Sequence, residues 1–175
     1  MRKLKLEELG RMNIDEFKRA SKIPITVVLD NIRSGQNVGS FFRTGDAFLI
    51  EKIMLCGITP KPPHRHINKT AIGATKTVDW EYHEHVKEVV HQLKKEGKKI
   101  VLIEQTDKSV PLSKFEIDQK LEYALVFGNE VRGVFDELLE LADGTIEIEQ
   151  FGTKHSLNVA VCAGMVLWVF AQSLR

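Results

Sequence analysis

Cysteine, long apolar runs and net charge are all scarce in this 175-residue sequence, and each scarcity excludes a class of protein. Cys56 and Cys162 lie far apart in apolar surroundings without C-x-x-C spacing, which indicates small core residues in a reducing compartment. The apolar stretch near the C terminus is shorter than the roughly 20 residues that a membrane span needs. The N terminus lacks the apolar segment of a signal peptide. We therefore expect a cytoplasmic protein.

Two phosphate-binding patterns are absent as well. Neither G-x-G-x-x-G nor a P-loop occurs, which argues against a dinucleotide-binding domain and against an NTPase. The histidine pairs His64/His66 and His83/His85 lack a third ligand at zinc-like spacing, so no metal site is predicted. They are more simply explained as surface or RNA-facing polar residues.

The charge is nearly balanced but unevenly distributed. A formal net charge of +1 is not that of a polycation. Segment 61–76 nevertheless contains no acid and four basic residues: Lys61, Arg65, Lys69 and Lys76. Such a segment fits a polyanionic partner, although charged clusters are more often solvated surface.

Short apolar strand-like segments alternate with helical ones. We predict strands at 25–29, 52–56, 78–82, 99–103, 123–127 and 145–149, and helices over 13–21, 40–48, 85–95, 135–142 and from Ser156 onwards. This alternation predicts an α/β domain with a mostly parallel sheet flanked by helices. Its expected extent is 23–175, preceded by a helical extension over 1–22.

Three loops that follow predicted strands carry polar groups, and ligands of parallel sheets bind at such strand ends. In the first loop, Asn37 and Gly39 predict a tight turn entering a helix, with Arg43 about one turn in. The Arg43 guanidinium could hold a phosphate or a polarised hydroxyl, or simply pair with Asp46.

In the second loop, Gly128 ends a strand where the backbone turns or is closely approached, and Glu130 is an acceptor near the loop tip. In the third, Ser156 is an N-cap residue type and Asn158 would lie about two residues inside the last helix. That segment alone is equally well explained as a capped core helix.

The three loops together resemble a known family. Asn37-x-Gly39-x-x-x-Arg43, Phe127-Gly-Asn-Glu130-x-x-Gly133 and Ile146-x-Ile-x-x-Phe-Gly152-x-x-x-Ser156-Leu-Asn158 are similar to motifs one, two and three of the SpoU (TrmH-type) RNA 2′-O-ribose methyltransferases of the SPOUT superfamily. Segment 68–74 also resembles the family's stretch between motifs one and two. The resemblance covers roughly residues 24–174.

The resemblance implies a fold, a reaction and a cofactor. The fold would contain a deep C-terminal trefoil knot and form a homodimer. The reaction would be methyl transfer from S-adenosyl-L-methionine to a ribose 2′-hydroxyl of RNA, with tRNA favoured over rRNA because no separate RNA-binding domain precedes the motifs. The competing hypothesis is a catalytically silent RNA-binding or ribosome-assembly factor on the same fold.

The resemblance also assigns site residues by position. The catalytic set would be Arg43, Asn37, Glu130, Ser156 and Asn158. Cofactor-binding residues would be Leu102, Ile103, Glu104, Thr106, Phe127, Gly128, Asn129, Ile148, Ser156 and Leu157. RNA contacts would come from Arg43, Arg65, Lys69 and Lys76.

Some positions depart from the family pattern. Glu149-Gln150 replaces the usual Pro-Met of motif three, and Glu104-Gln105 is more polar than the Ala-Thr pair often found there. His155 precedes Ser156, and an exposed loop position is favoured for it over a substrate contact.

Overall fold

A computed structural model describes the backbone of residues 1–175 and all side chains except that of Leu6. Its strands are β1 (Ile23–Asp30), β2 (Ile50–Cys56), β3 (Asp79–His83), β4 (Lys99–Ile103), β5 (Val110–Pro111), β6 (Tyr123–Phe127) and β7 (Gly144–Glu147). They form one sheet in the order β3-β2-β1-β6-β4-β7-β5, and every pairing is parallel. The predicted α/β class and parallel sheet are confirmed.

The helices are α1 (Ile14–Arg19), α2 (Gly35–Ala47), α3 (Arg65–Ala71), α4 (Val86–Lys95) and α5 (Val159–Leu174). Short 3₁₀ helices lie at Leu6–Leu9, Ala74–Lys76, Leu112–Lys114 and Asp136–Leu138. The first α-helix is confirmed: Asn13 and Glu16 form its capping box, in which each side chain accepts from the other residue's amide.

The central strands are buried on both faces because successive side chains point to opposite sides of the sheet. Val27 and Leu29 of β1 belong to the larger core cluster, which includes residues of α2, α3 and α5. Val28 belongs to the smaller cluster on the other face, beneath α4. Continuous apolar runs in the sequence reflect this two-sided burial.

Helix α2 begins at Gly35, with Ser34 as its N-cap, whereas the sequence predicts a turn there and a helix only from 40. The prediction is wrong because glycine is a poor helix former and hid the first turn. Gly39 is required by packing instead: a Cβ there would come 2.1 Å from Thr70 Oγ1 and 2.4 Å from the Ile67 carbonyl oxygen of α3. The missing side chain at Gly39 therefore allows α2 and α3 to pack in close contact.

Three further boundaries differ from the predictions. The basic segment 61–76 contains α3 and a 3₁₀ helix rather than a plain loop, and the predicted helix over 135–142 is only the 3₁₀ helix Asp136–Leu138. Helix α5 starts at Val159 and its N-cap is Asn158, whose side chain accepts from the amides of Ala160 and Val161. Ser156 is thus not the cap, since Asn158 is an equally good capping residue and lies nearer the apolar run.

The C-terminal third of the chain crosses earlier elements. Strand β7 lies between β4 and β5, and α5 then returns to pack against α2 and β1. The deep trefoil knot implied by the resemblance stays a prediction. Across the described chain, no helix has the length and apolar character needed to cross a membrane.

Candidate active site

The carboxyl ends of β4, β6 and β7 surround a cavity of about 720 Å³. Its walls come mainly from residues 103–106, 127–134 and 155–159, with further side chains from β7 and α5. This is the edge of the sheet where ligands of parallel α/β proteins bind, and the volume is within the range of small-molecule sites.

Glu130 joins the loop after β6 to the start of α2. Its Oε2 accepts from the Arg33 amide at 2.9 Å, and its Oε1 accepts from the Ser34 amide at 3.1 Å. The same Oε1 accepts from Asn37 Nδ2 at 2.9 Å. The sequence predicts only that Glu130 is an acceptor near a loop tip. In the structure its carboxylate oxygens bind the motif-two loop to the motif-one segment.

The Glu130 carboxylate is tuned by opposing effects. Partial burial would raise its pKa, but hydrogen bonds from Arg33, its own backbone, Asn37 and Ser34 outweigh burial and leave the pKa lowered. The amides at the start of α2 have no acceptor within the helix and carry partial positive charge, which further favours the ionised carboxylate. Glu130 is therefore held as an anion that organises the loop.

Asn37 and Asn158 extend this connection to the third motif. Asn158 Nδ2 donates to Asn37 Oδ1 at 3.2 Å, while Asn158 Oδ1 caps α5. A chain of hydrogen bonds thus runs from Glu130 through Asn37 to Asn158. Glu130 and Asn158 lie 93 and 121 residues from Asn37 along the chain, yet all three meet at one edge of the cavity.

A second set of contacts fixes the same loop from β1. Asp30 is 1% exposed, and its Oδ2 accepts from the Phe135 amide at 2.7 Å. Burial raises the pKa of Asp30, against the effect of the hydrogen bonds from Phe135 and Asn31. Asn129 Nδ2 donates to the Asn31 carbonyl oxygen at 2.7 Å. Sequence reasoning missed Asp30, although a carboxylate at the end of a mostly apolar strand could have indicated it.

Gly128 confirms the predicted close approach. A Cβ at Gly128 would come 2.1 Å from both the Gly133 carbonyl carbon and the Val134 nitrogen. The approaching group is the chain itself, because Asn129 and Gly133 pair as an isolated antiparallel bridge. The loop over 128–135 is therefore a tight hairpin, which we call the motif-two hairpin.

Most residues assigned to the cofactor by resemblance do line the cavity: Ile103, Glu104, Thr106, Phe127, Gly128, Asn129, Ile148, Ser156 and Leu157. Leu102 does not. It is fully buried in the core cluster beneath α4, because successive residues of β4 face opposite sides of the sheet. Because the resemblance implies contacts largely through backbone groups, the assignment of Leu102 to the cofactor stays a prediction. His155, assigned to an exposed loop, is exposed and also lines the cavity.

The predicted cationic residues lie outside the cavity wall. Arg43 is exposed on α2, and among the described residues it has no ion pair or side-chain hydrogen bond. Its predicted alternative partner, Asp46, accepts from the Thr77 hydroxyl instead. Arg65, Lys69 and Lys76 are exposed and none lines the cavity. The Arg43 side chain is thus exposed to solvent.

Of the residues assigned to catalysis, Glu130, Ser156 and Asn158 line the cavity, while Asn37 contacts it only through Glu130 and Asn158. Within the described part of the chain, no group of three or more His, Cys, Asp or Glu side chains is arranged to hold a metal ion.

Comparisons with known proteins agree with this geometry. The tRNA (guanosine(18)-2′-O)-methyltransferase of Thermus thermophilus is 30% identical over 161 residues, which are 92% of this chain and 81% of that protein. The 23S rRNA (guanosine-2′-O-)-methyltransferase RlmB of Neisseria meningitidis serogroup B is 32% identical over 157 residues, covering 87% of this chain and 60% of that protein.

Solved structures give the same result. The TrmH/SpoU tRNA modifying enzyme of Aquifex aeolicus superposes with a TM-score of 0.80 at 26% identity, covering 91% of this chain and 79% of that one. The AdoMet-bound rRNA methyltransferase of Sinorhizobium meliloti gives 0.79 at 26% identity, covering 90% and 62%. The sequence profile of the SpoU rRNA Methylase family matches residues 24–168. This chain is therefore a member of the SpoU rRNA methylase family.

Proposed function

We infer that the chain transfers a methyl group from S-adenosyl-L-methionine to a ribose 2′-hydroxyl of structured RNA, with tRNA favoured and rRNA as the alternative substrate. Its family membership and its tRNA- and rRNA-modifying relatives support this function. The observation that carries it is the hydrogen-bonded chain from Glu130 through Asn37 to Asn158. A protein that only bound RNA would not need three motifs joined beside a cofactor-sized cavity.

The cavity fits the methyl donor. Its volume suits a nucleoside-sized ligand, and its walls combine apolar side chains such as Ile103 and Phe127 with polar backbone. The nine lining residues assigned by resemblance would hold the donor, which supplies a methyl group on a cationic sulfur when bound. The protein's part is alignment, because in-line transfer depends on orientation more than on acid–base strength.

Arg43 is proposed as the residue that acts on the RNA. A guanidinium is effectively always protonated, so it is a poor candidate for a base. It can instead stabilise the alkoxide that develops on the ribose or orient a neighbouring phosphate. Its lack of a partner in the described protein supports either role. Asn37, Glu130 and Asn158 then act as positioning residues, and Ser156 contributes to the cavity wall.

The RNA surface is proposed to extend from Arg43 to α3. Helices α2 and α3 pack together through Gly39, so Arg65 and Lys69 on the exposed side of α3 belong to the same side of the sheet as Arg43. Lys76 follows in the next 3₁₀ helix. Contacts from these cations would supply affinity for phosphates without reading sequence.

We further propose a homodimer that acts in the cytoplasm. Val161, Met165 and Trp168 form an apolar stripe on α5 with exposed fractions of 51%, 41% and 53%. A stripe of this kind on an apolar helix suits a second copy of the chain. Sedimentation should give a dimer for the wild type and a monomer for Trp168→Glu, and a monomeric wild type would contradict the proposal.

The domain is proposed to comprise 23–175, with 1–22 as an N-terminal helical extension that packs on its core through the buried Phe17. The family match begins at residue 24, which supports this division. Deleting 1–22 tests it: the remainder should still bind S-adenosylmethionine, and loss of folding would contradict the boundary.

Transfer of a tritiated methyl group to bulk tRNA and rRNA tests the activity. Wild-type protein should label RNA, and Arg43→Ala should lower turnover by about 10²- to 10³-fold while leaving folding and cofactor affinity unchanged. Arg11→Ala, an exposed arginine in the N-terminal extension, is the matched control. Cofactor binding by the wild type without any labelling of RNA would favour the silent RNA-binding protein instead.

A further inference from the structure

Two glutamates occupy neighbouring positions where β4 and β7 end. Ile103 and Ile146 are paired in register, and the next residues along these parallel strands are Glu104 and Glu147. The Glu104 amide donates to the Ile146 carbonyl oxygen at 3.0 Å, which keeps the two strands together at this point. Both glutamates line the cavity. Like charges on neighbouring strands are unfavourable unless something compensates them.

The protein provides no cation for either glutamate. Among the described residues, neither side chain forms an ion pair within 4.0 Å, and Glu147 makes no side-chain hydrogen bond. Glu104 is held in place by amides: Oε1 accepts from Gln105 at 2.8 Å and Oε2 from Val134 at 3.0 Å. Both glutamates are half-buried, so water screens them less than it would screen surface acids.

The rest of the cavity does not reverse this sign. Its ionisable lining consists of four carboxylates, one guanidinium, one imidazole and one thiol: Glu104, Glu130, Asp136, Glu147, Arg132, His155 and Cys162. The thiol adds no cation: burial and then the Glu104 charge raise the pKa of Cys162 to about 11. A nearly neutral protein thus has a locally negative cavity.

We propose that Glu104 and Glu147 make the cavity discriminate between the two forms of the cofactor, so that it retains the cationic methyl donor and releases the demethylated product. The inference rests on the proposed function, because it assumes that the cavity binds S-adenosylmethionine. It concerns a property of this chain, since Glu104 stands where the family often has a small or hydroxyl residue.

The charge balance of the reaction gives the physical reason. As the new carbon–oxygen bond forms, the carbon–sulfur bond breaks and its electron pair stays on sulfur, so the sulfonium becomes a neutral thioether. The ribose hydroxyl gives up its proton to water, so the positive charge leaves the cavity with that proton. S-adenosylhomocysteine therefore carries one positive charge fewer than S-adenosylmethionine. A negative cavity loses an attraction on product formation wherever within it the sulfur lies.

Calorimetric titration with three ligands tests the proposal without requiring turnover. The ligands are S-adenosylmethionine, S-adenosylhomocysteine and sinefungin, in which a carbon bearing a protonated amine replaces the methylated sulfur. The variants are Glu104→Gln and Glu147→Gln. Glu149→Gln is the matched control, because Glu149 is exposed and lies in the same chain segment but does not line the cavity.

We expect each cavity variant to lower the ratio of the Kd for S-adenosylhomocysteine to that for S-adenosylmethionine by roughly 3- to 10-fold, the range for charges several ångströms apart in a partly screened site. The ratio of the Kd for S-adenosylhomocysteine to that for sinefungin should fall by a similar factor, since it depends on the ligand's charge and not on the methyl group. Glu149→Gln should leave both ratios unchanged.

Glu147→Gln is the more informative variant because it removes a charge without removing a hydrogen bond. It also relieves repulsion with Glu104, so the unfolding midpoint of the free protein should not fall. Equal weakening of all three ligands, or ratios unchanged within twofold in both variants, would overturn the proposal. Those results would leave the methyltransferase function intact, whereas a wild type that binds none of the three ligands would contradict the function itself.

Discussion

The motif-two hairpin and segment 149–157 both contribute to the lining of the same cavity, yet they are built in different ways. The hairpin is fixed by carboxylates from three directions: Asp30 holds the Phe135 amide, Glu104 holds the Val134 amide, and Glu130 reaches back to the start of α2. No hydrogen bond attaches segment 149–157 to the remainder of the described chain. Phe151 within it is 93% exposed.

This difference separates two ways of making a binding site. The hairpin is organised before any ligand arrives, because its amides already have protein acceptors and its glycines allow the backbone to close on itself. Segment 149–157 has few contacts to stabilise one conformation, which is typical of regions of low local stability that order on binding. Replacement of the usual Pro-Met by Glu149-Gln150 falls in the second region, where no packed contact depends on it.

Paired glycine substitutions should separate the two regions most strongly. Gly128→Ala would drive a Cβ into backbone atoms at 2.1 Å that cannot move aside as a side chain could. We expect a loss of about 2–4 kcal/mol in the free energy of unfolding. Gly152→Ala is the control, since nothing lies within 4 Å of a Cβ there, and it should change stability by less than about 0.5 kcal/mol. Urea denaturation measures both, and equal losses would refute the distinction.

Removing the Glu130 carboxylate should have a smaller effect. Glu130→Ala leaves the amides of Arg33 and Ser34 at the start of α2 without their acceptor, for which we expect a cost of about 1–2 kcal/mol. Glu140→Ala, an exposed acid with no described partner, should be nearly neutral. A similar loss in both variants would indicate a general charge effect rather than loss of this particular contact.

The stability that the Glu130 carboxylate contributes should also depend on pH, in a direction set by its pKa shift. Because the pKa of Glu130 is lowered on folding, its stabilising contribution is present above the unfolded value of roughly 4.3 and is lost as the pH falls through the folded value. The stability difference between wild type and Glu130→Gln should therefore be constant at neutral pH and shrink in acid. A difference that grew on acidification would contradict the assigned role.

The same contrast explains what the sequence could predict. Central strands such as β4 and β6 were predicted with correct bounds because their continuous apolar runs report burial on both faces. The start of α2 was missed because Gly35 and Gly39 serve contacts with other elements, which local propensity cannot show. Asp30 was missed because its role depends on Phe135, 105 residues away.

The site residues followed the same rule. Family motifs located Asn37, Glu130 and Asn158, but only the fold shows that they bond to one another. Asn158, rather than Ser156, caps α5, since both are good capping residues and the sequence does not say which begins the helical turn.

Hydrogen exchange should detect the smallest free-energy difference of these experiments, but it assigns that difference to individual amides of the hairpin and of segment 149–157. In the free protein, amides of segment 149–157 should exchange close to their intrinsic rates, whereas the Val134 and Phe135 amides should be protected by Glu104 and Asp30. S-adenosylmethionine at ten times its Kd should slow exchange in the segment by up to about tenfold, the limit set by ligand linkage. The hairpin amides should change little, because they are already bonded. If the hairpin gained as much protection as the segment, the cavity would be ordered as one unit on binding, and the contrast between its two sides would not exist in solution.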